Sequence, residues 1–126
     1  MPLVTLTVRQ SAPSAFKTRL LDAVHAALVS SGVPLDDLFQ RVLALGEEDF
    51  RFNPRYPDLS TDRTPDFALV EILWSSGRSV KVKRALLKDL MGRLAAQDID
   101  TEQVMVVFQE TTWENWAFAG GRQIHV

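Results

Sequence analysis

The chain of 126 residues contains no cysteine. Disulfide staples, thiolate nucleophiles and zinc–thiolate sites are therefore excluded together. Histidine occurs only at His25 and His125, too far apart for an HExxH pair or a compact metal triad. No Walker loop, no GxGxxG after a strand and no GxSxG elbow is present, so nothing points to a nucleotide cofactor or a serine hydrolase. Apolar runs fall short of the roughly 20 residues of a membrane span. The start of the chain lacks the basic-then-apolar pattern of a secretory leader. Fourteen basic and sixteen acidic residues give a net charge of −2, which offers no general drive toward nucleic acid or anionic membrane. The expectation from these absences is a cytoplasmic protein with no metal, no organic cofactor, and no nucleic-acid or membrane partner.

What is present is globular. Hydrophobic residues make up 46% of the chain and charged residues 24%, enough for one domain over 1–126 with its own core. Leu3 to Val8 alternates as a half-buried strand does. Ser11-Ala12-Pro13-Ser14 offers capping and first-turn residues. Phe16, Leu20, Leu21, Val24, Ala27 and Leu28 then form a helical stripe that Gly32 ends. Leu38 to Leu45 reads as a second strand and Phe67 to Trp74 as a third. Ser79 caps a second helix with Leu86, Leu87, Leu90 and Leu94 inward, and Val104 to Phe108 makes a fourth strand.

The two halves superimpose. Leu20, Leu21, Val24 and Leu28 fall on Leu86, Leu87, Leu90 and Leu94 at an offset of 66 positions, and Val33, Leu38 and Val42 fall on Ile99, Val104 and Phe108. One offset through helix, turn and strand predicts a duplicated β-α-β unit, with pseudo-repeats at about 1–45 and 67–110. The fold class expected is α+β: a four-stranded sheet with parallel pairs and both helices on one face. Leu3, Leu69 and Val106 leave the other face apolar in places, which predicts an oligomer. The segment 46–66 is a long loop rich in Pro, Asp and Arg. It is fit either to reach over a neighbouring subunit's pocket or to seal an interface. The tail 111–126 carries Trp113, Trp116 and Phe118.

Pro2 directly follows the initiator methionine, and methionine is usually removed before a residue this small. The exposed secondary amine would titrate near the α-amino value of ~8. Apolar walls and a nearby cation would lower that further, toward a general base working near neutrality. The plain alternative is a strand-edge proline with no ladder bond to lose.

Pro2 opening a strand, the duplicated unit, Gly32-Val33-Pro34-Leu35-Asp36-Asp37, Gly77-Arg78-Ser79 and the segment Glu114 to Gly121 together resemble the tautomerase superfamily. The likeness is to its double-length branch, with malonate semialdehyde decarboxylase and the cis-3-chloroacrylic acid dehalogenases. The resemblance implies Pro2 as the catalytic amine and Arg78 as the anchor of a substrate carboxylate. It implies Asp37 as an assistant in proton transfer, Trp116 and Phe118 as an apolar wall, and a homotrimer. His25 lies roughly where the dehalogenases place a histidine, but a structural role fits it better. That branch carries a second arginine one turn before the first. Here Ser75 and Ser76 occupy both candidate positions, which leaves Ser76 a hydroxyl beside the substrate. A single guanidinium suits keto–enol tautomerisation of a small 2-oxo or enol acid better than decarboxylation or hydration of a 3-oxo or unsaturated acid. A non-catalytic interaction protein on the same fold is the rival from another class. The group Arg78, Lys81, Lys83, Arg84 and Lys88 reads as a solvated helix face.

Overall fold

The computed structural model describes residues 1–125; Val126, the end of the expected tail, lies outside the described residues. Strand β1 (Leu3–Arg9) leads into helix α1 (Ser14–Ser30) and strand β2 (Gln40–Leu45). The second unit repeats the order with β3 (Ala68–Ser75), α2 (Val80–Ala95) and β4 (Val104–Thr111). The strands form one sheet in the order β2-β1-β3-β4. β1 runs parallel to β2, β3 runs parallel to β4, and the central β1–β3 pair is antiparallel.

The internal repeat is legible atom by atom. Leu6 pairs with Val42, and 66 residues on Ile72 pairs with Phe108. Both helices end alike: the Val33 amide donates to the Leu28 carbonyl and the Ile99 amide to the Leu94 carbonyl, at 3.0 and 3.1 Å. This closure needs a left-handed residue just past the helix. Gly32 takes it at φ 112° and Asp98, its counterpart, at φ 59°.

The caps differ where the residues differ. The Ser79 hydroxyl accepts from the Val82 amide at 3.2 Å. Its counterpart Pro13 starts α1 with no side-chain bond, because proline has no acceptor and contributes only its fixed φ. Strand β2 begins at Gln40 rather than Leu38: Leu38 and Phe39 follow the turn without regular ladder pairing, although the Phe39 carbonyl already accepts from the Val4 amide at 2.9 Å.

Val4, Leu6, Val8, Val70, Ile72 and Trp74 point from the sheet to Leu20, Val24, Leu28, Leu86, Leu90 and Leu94, all buried. Burying each such side chain contributes about 1.5–3 kcal/mol. Val106 belongs to this face, since it pairs with Val70 and packs on the core. Its expected place on the bare face was one residue out of phase, and a one-residue slip exchanges faces. The opposite face shows Leu3, Leu69 and Leu73 half-buried, with Leu43 and Met105 exposed.

The loop 46–66 folds onto its own chain at one end of that face. Phe50 and Phe52 pack on Phe67 at 5.7 and 4.5 Å. Arg9 lies 4.7 Å from the Phe52 ring centroid and donates to the Phe50 carbonyl. No helix among the described residues is long and apolar enough to cross a membrane.

Candidate active site

The antiparallel register puts the start of β1 beside the end of β3, with Leu3 opposite Leu73. The parallel pairs add the start of β2 and the end of β4. Pro2, Asp37, Arg78 and Glu110 thereby come together from four distant parts of the sequence. Pro2 is buried. Asp37, in the turn before β2, is only 8% exposed. The amino-terminal nitrogen on Met1 stands 3.4 Å from Asp37 Oδ2. That contact is close enough for an ion pair, yet neither Asp37 oxygen has an aligned hydrogen bond within the chain.

Arg78 occupies the turn before α2. Its guanidinium lies 4.3 Å from the Trp74 ring centroid, and Nη1 donates to the Ser75 carbonyl at 2.5 Å. Burial pulls its pKa below the usual arginine value, while the charges of Glu110 and Asp37 oppose that shift. Both carboxylates therefore lie within electrostatic reach of the guanidinium.

Buried polar atoms without a partner are rare in folded proteins, and each calls for an explanation. Among the described residues they comprise both oxygens of Asp37, Trp74 Nε1, Ser75 Oγ, Trp116 Nε1 and Arg63 Nε. All but Arg63 belong to this end of the sheet. Trp116 reaches it through the tail: it stacks on Phe118 at 6.0 Å, and Phe118 packs on Phe39 at 6.1 Å, two residues beyond Asp37.

The structure thus unites Pro2, Asp37 and Arg78 and brings Trp116 and Phe118 to the same end. Ser76 is exposed, with its hydroxyl and its amide both directed to the Thr111 carbonyl at 3.1 and 2.8 Å. His25 stands apart. Its Nε2 lies 2.9 Å from the Leu35 carbonyl, an acceptor, so this nitrogen donates and ties α1 to the following turn. The cationic face on α2 divides: Lys81, Arg84 and Lys88 are exposed, but Lys83 pairs with Glu110. The sequence offered no role for Glu110, placed Lys83 on a solvated helix face and took Ser75 only as a position where an arginine is missing. Strand alternation, which puts Glu110 on the Phe108 side of β4, carried a signal for the first of them. Several cavities of the single chain lie elsewhere. One of about 550 Å³ is lined by Lys88, Asp89 and Arg93, one of about 440 Å³ by Phe16, Arg19, Asp66, Asp98 and Gln103, and one of about 320 Å³ by His25, Leu35 and Leu38.

A duplicated β-α-β sheet that converges a chain terminus, a buried carboxylate and an arginine at one end of its strands defines a small α+β protein of the tautomerase fold. The family model described as "Tautomerase enzyme" matches residues 37–119, and the chain belongs to that family. Among curated proteins none matches this sequence. Among solved structures, the FG41 malonate semialdehyde decarboxylase inhibited by 3-bromopropiolate overlays with a TM-score of 0.87 at 22% identity, covering 98% of this chain and 93% of that one. A malonate semialdehyde decarboxylase solved in wild-type, mutant and inactivated forms gives 0.85 at 27% identity, over 96% and 93%. A fused 4-OT in a symmetric trimer gives 0.72 at 26% identity, over 95% and 94%.

Proposed function

We propose that this chain is a cofactor-independent enzyme that moves a proton between the enol and keto forms of a small 2-oxo carboxylic acid. Pro2, once Met1 is removed, is the acting amine. The observation that carries the reading is the convergence of the chain terminus, buried Asp37 and Arg78 at one end of the sheet. Arg78 holds the substrate carboxylate through its guanidinium fork. The Pro2 nitrogen takes the enol proton, and the protonated nitrogen returns a proton to carbon, so the amine ends as it began. Asp37 assists the proton transfer by accepting a hydrogen bond from the Pro2 ammonium that forms, and Trp116 with Phe118 excludes water.

The test is the ultraviolet absorbance of phenylenolpyruvate or 2-hydroxymuconate as it ketonises. Wild type and Pro2→Ala run side by side after mass spectrometry confirms that Met1 is absent. With Met1 retained, the Pro2 nitrogen is an amide and has no usable lone pair. The wild type is expected to convert the enol and the variant to lose roughly a hundred- to ten-thousand-fold in rate. Equal rates in the two proteins would remove the proposal.

One observation favours a second reaction on the same residues. Asp37 Oδ2 lies 3.4 Å from the Met1 nitrogen, one residue ahead of Pro2, so an anion stands ready to pair with a Pro2 ammonium once Met1 is gone. A protonated Pro2 would polarise the carbonyl of a 3-oxo acid. The bond to the carboxylate then breaks, carbon dioxide leaves, and the enolate takes a proton at carbon. Both malonate semialdehyde decarboxylase neighbours overlay this chain with higher TM-scores than the fused 4-OT. The two chemistries separate by pH. A free-base amine gives a rate that rises as pH passes its pKa, whereas an ammonium gives a rate that falls there.

A further inference from the structure

Arg78 is surrounded by more charge than a carboxylate anchor needs. Glu110 and Asp37 both lie within electrostatic reach of its guanidinium. Glu110 stands opposite Trp74 in the β3–β4 register, and the Trp74 ring carries the guanidinium. Glu110 is in turn held by Lys83, one turn into α2, in an ion pair whose side chains are 31% and 28% exposed. The Lys83 ammonium also lies 6.0 Å from the Phe108 ring centroid, so its stem crosses the same edge. Charges therefore alternate from Asp37 through Arg78 and Glu110 to Lys83.

An unpaired Glu110 would compete with any substrate carboxylate for the Arg78 fork. We propose that Lys83 and Glu110 are positioning residues for Arg78, with Lys83 holding Glu110 off the guanidinium so that the fork stays open to a small carboxylate. Serines at 75 and 76 leave the turn itself with one cation, and Lys83 supplies the balancing second cation from the helix. This inference rests on Arg78 as the carboxylate anchor.

The test needs no turnover. Pyruvate is titrated into the Met1-processed protein and its dissociation constant read from amide shifts in NMR spectra, with thermal melts confirming that each variant is folded. Lys83→Met is expected to weaken pyruvate binding roughly fivefold, the size of a partly exposed pair. Lys83→Arg keeps the pair and stays near wild type. Lys83→Met combined with Glu110→Gln restores binding, because the competing carboxylate is gone. A merely structural pair would leave the double variant as weak as Lys83→Met, and that result overturns the inference, as does unchanged binding in Lys83→Met. Binding that is lost in Arg78→Ala but indifferent to Lys83 overturns this inference alone. Binding that survives Arg78→Ala, or none in the wild type, overturns the anchor role of Arg78 and this inference with it.

Discussion

Asp37 is the residue whose environment is hardest to explain by stability. A buried carboxylate with no aligned hydrogen bond costs free energy unless something else uses it. Its nearest charge is the amino terminus at 3.4 Å. We expect Asp37→Asn, in the processed protein, to move the pH–rate profile toward lower pH, because losing the anion disfavours the ammonium form of Pro2. A profile of kcat/KM against pH that stays put in this variant would separate Asp37 from the amine. Arg78 acts on a different parameter. Arg78→Ala removes a charge-assisted hydrogen bond of about 1.5–3 kcal/mol, so KM is expected to rise roughly tenfold or more while the variant remains folded by circular dichroism.

The elements carry the internal repeat, and it can be tested where the two copies chose different residues. Gly32 and Asp98 occupy the same left-handed position after α1 and α2. Gly32→Ala is expected to lose about 1 kcal/mol, since a Cβ is strained there even though nothing crowds it. Asp98→Gly relieves that strain but loosens the unfolded chain, so its urea midpoint should shift by less than that of Gly32→Ala, and upward. The α2 cap couples stability to the site. Ser79→Ala is expected to cost about 1 kcal/mol and to raise KM as well, because Arg78 directly precedes the cap. A stability loss with KM unchanged would show that the turn keeps its shape without the cap.

At the scale of the whole molecule, one sheet face is closed by two helices and the other is not. Exposed Leu43 and Met105 and half-buried Leu3, Leu69 and Leu73 remain on it, while the loop 46–66 covers only the Phe67 end. Apolar surface of this kind marks an interface. An oligomer is the assembly we expect; the fused 4-OT neighbour is a symmetric trimer. Light scattering should give more than one chain per particle for the wild type and a smaller species for Met105→Glu. A monomeric wild type at micromolar concentration would sink that expectation.

The sequence by itself determined both β-α-β units, because burial imposes periods of 3.6 and 2 that survive in Leu86, Leu90 and Leu94 and in Val4, Leu6 and Val8. It also determined the pairing of the halves, since the helix ends at Leu28 and Leu94 repeat at one offset. Pro2, Asp37 and Arg78 were singled out through their motifs, and the fold brings them to one end of the sheet. Ser79 announced its cap, while Pro13 could not, having no side-chain acceptor. Only the tertiary structure decided which face Val106 joins, because strand phase is set by pairing with Val70 rather than by composition. It alone brought Glu110 and Lys83 to Arg78, and it gave His25 the structural role the sequence favoured by tying it to Leu35. Those contacts join strand to helix across long separations, and charge carries no periodicity by which a sequence could foretell its partner.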